Sequence, residues 1–160
     1  MNGSRLLSGG SCSDTLIKIW SISEVELTLM KEIKAHSDDV CKVIPLSHHR
    51  FASCSSDWTV RIWKDDNTYE CISTLRHNGE VRSILQLWGK EVLVSAYSGG
   101  ITPSFRGVSF WNINNDTHQH TIKGYCVCWS THLIELPNGN IVLSSDTESF
   151  PIVIIDSSSY

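Results

Sequence analysis

The sequence predicts an all-β protein built from a repeated four-stranded unit, and three observations support this. Tryptophans recur at nearly even spacing, with 43 residues between Trp20 and Trp63 and 48 between Trp63 and Trp111. Between them lie short alternating or apolar runs, rich in β-branched and aromatic residues and interrupted by Gly, Ser, Asn or Asp. No window of about ten residues carries a helical apolar stripe, and 24–34 alternates as a strand does.

Composition limits the classes of function. The chain has 160 residues, 41% of them hydrophobic, with 13 basic and 17 acidic residues and a net charge of −4. Such a balance lacks the positive footprint of a nucleic-acid or anionic-membrane binder. The longest aliphatic run, Ile152–Ile155, is too short to span a bilayer, and the N-terminus lacks a signal-peptide core. We therefore expect no membrane association and an intracellular location, with the cytoplasm favoured and the nucleus as the alternative.

The six cysteines and seven histidines are the residues that could form disulfides or bind a metal. The cysteines lie mostly in apolar runs, which favours free buried thiols over a disulfide framework in an intracellular protein. The nearest approach to a ligand cluster is Cys126-Val-Cys128 with His132, and its spacing does not match that of structural zinc sites. The sequence thus predicts neither a metal nor any other cofactor.

The repeat has a second marker besides tryptophan. An aspartate precedes the tryptophan by six residues in Asp14–Trp20 and again in Asp57–Trp63. The segment ending at Trp111 lacks this aspartate, and a fourth segment ends in Ile155-Asp156. Histidine or tyrosine recurs with the same period, at positions His36, His77 and Tyr125. Both series lengthen at one place, which locates a single insertion between Ala96 and Val108.

These units resemble WD40 repeats, whose period is about 40–45 residues with four strands per propeller blade. The family's opening Gly-His pair corresponds to Ala35-His36, Arg76-His77 and Gly124-Tyr125. Its closing Trp-Asp pair corresponds to Trp20-Ser21, Trp63-Lys64, Trp111-Asn112 and Ile155-Asp156. The resemblance implies an all-β fold of WD40-type β-propeller blades, each a four-stranded antiparallel sheet with strands a to d from the axis outward.

The predicted blades form an incomplete ring. We expect a single partial WD40 domain over 1–160, with blades at about 1–35, 36–76, 77–124 and 125–160. The first blade lacks strand a and the last lacks strand d, whereas closed propellers have about four to eight blades. Bare strand edges can pair with other chains. The sequence therefore predicts a segment of a longer propeller, or a chain that a partner or self-association through open edges completes.

The second blade contains the internal network that the resemblance implies, formed by His36, Ser53, Asp57 and Trp63. These residues supply a carboxylate, an imidazole, a hydroxyl and an indole N–H, which can hydrogen-bond to one another in a row. Polar groups that burial would otherwise leave unpaired are thereby satisfied. A Ser-His-Asp catalytic triad is the alternative, but a serine in a central strand and bonded to tryptophan favours the structural role. The other blades retain only parts of this set.

Candidate protein-binding residues lie on the face that carries the b–c turns and d–a connections. Trp58 takes a turn position where a small residue is usual, so its ring is expected at the surface; packing on a neighbouring blade is the alternative. The insertion 97–106 contains interface-type side chains, with a neutral flexible loop as the alternative. Acidic residues open two strands nearby and suggest a basic partner. The candidates are Asp38, Asp39, Trp58, Glu80, Tyr97, Phe105 and Arg106.

The function implied by the resemblance is a non-enzymatic scaffold or adaptor that binds protein or peptide partners through its loop faces. This inference rests on fold-level analogy. A substrate-receptor subunit of a ubiquitin ligase or of another large complex is the alternative within the same class. A hydrolase and a nucleic-acid binder are rivals that the buried candidate triad and the acidic composition disfavour.

Overall fold

A computed structural model of the chain describes residues 4–11, 14–99, 106–123, 131–144 and 152–159. These residues form four antiparallel sheets, which we call blades one to four in chain order. Blade one contains β1 Ser4–Gly9, β2 Leu16–Ile22 and β3 Leu27–Lys34. Blade two contains β4 Val40–Leu46, β5 Arg50–Ser55, β6 Thr59–Lys64 and β7 Cys71–Arg76. Blade three contains β8 Glu80–Gln86, β9 Val92–Ser98, β10 Arg106–Asn112 and β11 Thr117–Lys123. Blade four contains β12 His132–Glu135, β13 Ile141–Ser144 and β14 Ile152–Ile155, followed by a 3₁₀ turn at Ser157–Ser159.

Within every blade, strands that follow one another in sequence lie side by side. Blades two and three have four strands each, while three strands are described in each of blades one and four. The predicted class, all-β with propeller-type four-stranded blades and no closed ring, is therefore confirmed for the described residues. No helix in the described part of the chain is long and apolar enough to cross a membrane.

The core lies between successive blades rather than inside any one of them. Three clusters of buried side chains join blade one to two, two to three, and three to four. Ile62 and Phe110 occupy equivalent positions in β6 and β10, and each is 1% exposed against the following blade. Alternation in each strand sends one set of side chains to the blade before and the other to the blade after. This explains why near-continuous apolar runs occur in the central strands.

A bulge recurs at the same place in three blades. The pairing of the third repeat strand with the fourth shifts between Ile19 and Trp20, between Ile62 and Trp63, and between Phe110 and Trp111. A bulge bends the strand and re-aims its side chain. Because it coincides each time with the repeat tryptophan, it shows that the three segments are structural as well as sequence equivalents.

The two outer faces of the stack of blades carry exposed apolar side chains, whereas the side chains at equivalent positions of interior blades are covered by the next blade. In blade four, Ile154 pairs in register with Val142, as Ile62 pairs with Ala52 in blade two. Ile154 is 60% exposed, whereas Ile62 is buried. On blade one, Leu6 and Leu29 flank Trp20 in register and are both exposed. Each end of the stack therefore presents a face that matches an interior blade surface.

Candidate functional site

A continuous hydrogen-bonded row crosses blade two. Nδ1 of His36 lies 2.9 Å from Oδ2 of Asp57, and its Nε2 lies 2.7 Å from Oγ of Ser53. The indole N–H of Trp63 donates to the same Ser53 oxygen at 2.9 Å. Since the carboxylate only accepts, Nδ1–H donates to Asp57 and Nε2 accepts the Ser53 hydroxyl proton. The structure thus brings the four predicted residues together in the predicted order.

The carboxylate of Asp57 accepts four hydrogen bonds around the turn between β5 and β6. Besides His36, its carboxylate accepts the backbone N–H of Ser37 at 3.2 Å and both the N–H and hydroxyl of Thr59, at 3.1 and 2.6 Å. Burial alone would raise the pKa of Asp57, but the hydrogen bonds from Thr59 and His36 outweigh it and lower the pKa. Asp57 is therefore held as a carboxylate that fixes the turn.

Trp58 follows Asp57 in this fixed turn and has a backbone φ of +69°. Its backbone N–H donates to the carbonyl of Ser55 at 3.3 Å, and its own carbonyl accepts the backbone N–H of His77 at 2.9 Å. The side chain is 52% exposed. A bulky residue in the left-handed region is uncommon and is kept there by surrounding bonds. About half of the side chain is thus at the surface and the other half is covered by its surroundings.

The acidic residues on this face differ in how far they are neutralised. Asp38 is exposed, and its side chain accepts the N–H of Asp39 at 2.8 Å. Asp39 is half-buried, and its carbonyl accepts the N–H of Ser56 at 3.0 Å. Glu80 forms an ion pair with Arg82, whose guanidinium also donates to Ser56. The expected acidic patch is thus reduced, because Arg82 compensates Glu80.

The structure corrects the expectation for Tyr97 in the insertion. Its ring is only 4% exposed, packs in the core between blades two and three, and lies 5.4 Å from the ring of His77. Near the end of β9 the side chain of Tyr97 is directed into the core between the two blades. Tyr97 is therefore not a surface contact residue of the loop. Arg106 is half-buried at the start of β10, opposite Ser98. Phe105 lies outside the described residues.

Blades one and three retain parts of the row. In blade three, Nε2 of His77 lies 2.7 Å from Oγ of Ser95, which accepts the indole N–H of Trp111 at 3.1 Å. Nδ1–H of His77 donates to the carbonyl of Leu75 at 3.2 Å instead of to a carboxylate. Burial lowers the pKa of His77 to about 4. In blade one, Trp20 donates to Ser8 at 3.0 Å, while Asp14 pairs with Lys18 at 2.8 Å.

This arrangement has little capacity for catalysis. Ser53 is completely buried and already bonded to both His36 and Trp63, so a substrate cannot reach its oxygen. The three described cysteines, Cys41, Cys54 and Cys71, are free thiols. The described residues also bring together no group of three metal-ligating side chains.

Sequence reasoning missed an exposed aromatic residue on the opposite face, which carries the a–b and c–d turns. Trp88 lies in the turn between β8 and β9 and is 89% exposed. Its backbone N–H donates to the carboxylate of Glu135 in blade four at 2.6 Å. The dipeptide Trp88-Gly89 is a turn signal beside a large aromatic residue, and this was the available clue. Thr59 was also missed, although its hydroxyl contacts both His36 and Asp57.

Comparisons with known proteins agree with this geometry. The family model described as "WD domain, G-beta repeat" matches residues 27–64. The chain is similar to nuclear distribution protein PAC1 of Arthroderma otae, with 28% identity over 154 residues, 91% of this chain and 32% of PAC1. Nuclear distribution protein nudF of Aspergillus flavus is 35% identical over 96 residues, 58% of this chain and 20% of nudF. The chain spans about a third or less of the length of these curated relatives.

A solved structure gives the same result for the fold. The crystal structure of the WD40 β-propeller domain of Doa1 superposes with a TM-score of 0.73 and 23% sequence identity. The superposition covers 96% of this chain and 47% of the Doa1 chain. At this level of identity the likeness concerns the fold.

Proposed function

Because the chain is a partial β-propeller of the WD40 type, we propose that it is a non-enzymatic interaction scaffold that binds protein partners through the face around Trp58. The observation that carries this proposal is an aromatic side chain half exposed to solvent on a rigid backbone. Four donors converge on the neighbouring Asp57, so the turn is organised before any partner arrives. A rigid, exposed aromatic residue loses little conformational entropy on binding and is a frequent centre of interfaces.

The surroundings of Trp58 support a partner of mixed polarity. Asp38 is exposed in the connection between β3 and β4, and Arg76 is exposed at the end of β7. Aromatic centres with polar rims are typical of protein interfaces. The relatives' shared name, nuclear distribution protein, gives the process in which a partner is first to be sought, and it implies an intracellular location.

The test compares two exposed tryptophans on opposite faces. Trp58→Asn removes the ring while keeping a residue that tolerates positive φ. Trp88→Asn removes the other exposed ring and serves as the matched control. In affinity capture from cells followed by quantitative mass spectrometry, proteins retained by the parent and by Trp88→Asn should be lost with Trp58→Asn. Equal recovery with both variants would refute the proposal, and selective loss with Trp88→Asn would move the site to the opposite face.

The exposed end faces favour a second interaction, namely self-association. The face with Ile154 matches interior surfaces that pack on a following blade, and the face with Leu6 and Leu29 matches those that pack on a preceding one. We expect copies of the chain to associate end to end through these faces. Sedimentation velocity should show oligomers that Ile154→Glu dissociates. A strictly monomeric, cooperatively folded parent chain would contradict this expectation.

A further inference from the structure

Blade three differs from blade two at the positions that surround the buried histidine. The register aligns Thr59 and Arg61 of β6 with Gly107 and Ser109 of β10, since each pair faces equivalent residues of the outer strand. Trp63 aligns with Trp111 on the same basis. Sequence spacing places Phe105 where blade two has Asp57. Blade three has therefore lost the carboxylate, the hydroxyl and the long cationic side chain of this corner.

In blade two these groups fill the corner. Asp57 and Thr59 bond to each other and to His36. Nε of Arg61 is buried, and its positive charge is near enough to contribute to lowering the pKa of His36. Blade one has a comparable arrangement, with Lys18 at the Arg61 position paired to Asp14. Both blades thus supply their own anion and cation here.

The same corner of blade three is a cavity of about 250 Å³. Nine side chains line it, and none of them is acidic or aliphatic. Its wall includes Ser109, whose Oγ lies 2.8 Å from Oγ1 of Thr121, and His118, whose Nε2 lies 2.6 Å from that same threonine oxygen. At Gly107 a Cβ would lie 3.2 Å from the Tyr97 hydroxyl and 2.8 Å from a backbone oxygen, so this position of β10 is too close to its neighbours for a side chain.

Two cationic side chains line this cavity from different blades. Arg76 ends β7 of blade two, and Lys123 ends β11 of blade three. Within the part of the chain that the structure describes, neither has a carboxylate within ion-pair distance. Arg82, the nearest comparable cation of β8, is by contrast paired to Glu80. The cavity therefore combines positive charge, hydroxyl groups and space, without a negative group of its own.

We propose that this corner of blade three binds an oxyanion, the carboxylate or phosphate monoester of a ligand, between Arg76 and Lys123. The bound anion takes the electrostatic place that Asp57 fills in blade two. Arginine offers a planar fork of donors that suits two oxygens of such a group, and lysine adds a point charge. The site lies between blades two and three, so a bound anion also bridges them. The inference concerns a small chemical group; the site shares Arg76 with the surroundings of Trp58, whereas Lys123 and Ser109 are not part of the proposed partner surface.

The first experiment uses the purified 160-residue chain and inorganic phosphate, followed by isothermal titration and by NMR shifts of backbone amides around Lys123. The double variant Arg76→Gln with Lys123→Gln should weaken binding by about tenfold or more, because it removes both charges. The matched control is Lys34→Gln, which removes the equivalent cation from the end of β3 and should change the affinity less than about twofold.

Three peptides of one sequence, carrying phosphoserine, glutamate or serine at a central position, then identify the source of the anion. If only the phosphoserine peptide binds, the ligand group is a phosphate monoester; if the glutamate peptide binds equally well, it is a carboxylate. Either assignment holds only if the double variant Arg76→Gln with Lys123→Gln no longer binds that peptide. Binding of the serine peptide with equal affinity would overturn the proposal. So would the absence of phosphate binding by the parent, or unchanged binding by a folded double variant. Because no protein partner is present, these outcomes are independent of those with Trp58→Asn.

Discussion

Blades two and three share a backbone arrangement, a bulge at the repeat tryptophan and a His–Ser–Trp row, but differ in what completes the row. In blade two, Nδ1–H of His36 donates to the Asp57 carboxylate. In blade three, Nδ1–H of His77 donates to the carbonyl of Leu75. The fold of a blade therefore does not require the aspartate. In blade two, the aspartate fixes the turn that positions Trp58. In blade three, where the aspartate is absent, an open polar cavity lies beside Arg76 and Lys123.

The largest expected effect concerns the two tryptophans. Trp63 is 4% exposed and stacks on Phe51 with ring centroids 6.0 Å apart, whereas Trp111 is only partly buried. Trp63→Ala should cost about 3–5 kcal/mol of the free energy of unfolding, because it leaves a large cavity between blades one and two. Trp111→Ala should cost less, since solvent reaches its site. Urea unfolding followed by circular dichroism measures both, and equal losses would show that the two blades are equally packed.

The second effect is a loss of stability in acid that originates in blade three. Burial lowers the pKa of His77 to about 4, from an ordinary value of 6.5. The unfolded chain therefore binds a proton at higher pH than the folded chain, and stability is full above pH 6.5 and falls as the pH drops towards 4. The loss attributable to His77 is on the order of 3 kcal/mol.

His77→Gln should remove this part of the pH dependence, because its amide oxygen can still accept from Ser95 and cannot titrate. The control is His49→Asn, at an exposed turn position with positive φ that asparagine tolerates. Unfolding in urea at pH 7, 6, 5 and 4 gives the comparison. A His77→Gln profile as steep as that of His49→Asn would show that His77 is not the group responsible.

The difference between these blades also shows what a sequence can predict. His36, Asp57 and Trp63 stand at positions marked by the repeat period, and the resemblance to WD40 repeats implies that they interact, so their grouping could be expected from the sequence. The burial of Tyr97 could not be predicted, since it depends on which face the end of β9 presents to blade two. Spacing from the repeat tryptophan aligns Ser109 with Arg61, but the cavity beside Ser109 depends on how Arg76, Tyr97 and Lys123 are arranged around it. The exposure of Trp88 was not predicted, because this residue lies outside the repeat pattern. It stands in a turn whose exposure depends on how the neighbouring blades pack.

The third effect tests the aspartate itself. Asp57→Ala leaves the N–H groups of His36, Ser37 and Thr59 without their acceptor, which should cost about 1–3 kcal/mol of unfolding free energy. Asp14→Ala is the matched control in blade one, where the carboxylate is more exposed and serves Lys18 and one backbone N–H. Its loss should be smaller. Equal losses would mean that the network around His36 adds no more than an exposed turn does.

The smallest effect is on the ionisation of the histidines. Burial lowers the pKa of His36, while the hydrogen bond and charge of Asp57 act in the opposite direction. Asp57→Asn keeps an oxygen that accepts from Nδ1–H but removes the charge, so the pKa of His36 should fall further below 6.5. Long-range ¹H–¹⁵N NMR of the imidazole rings across a pH titration measures this directly. His77, whose nitrogen donates to a backbone carbonyl, is the internal control and should titrate as in the parent. An unchanged or raised pKa of His36 would show that the Asp57 carboxylate does not stabilise the imidazolium.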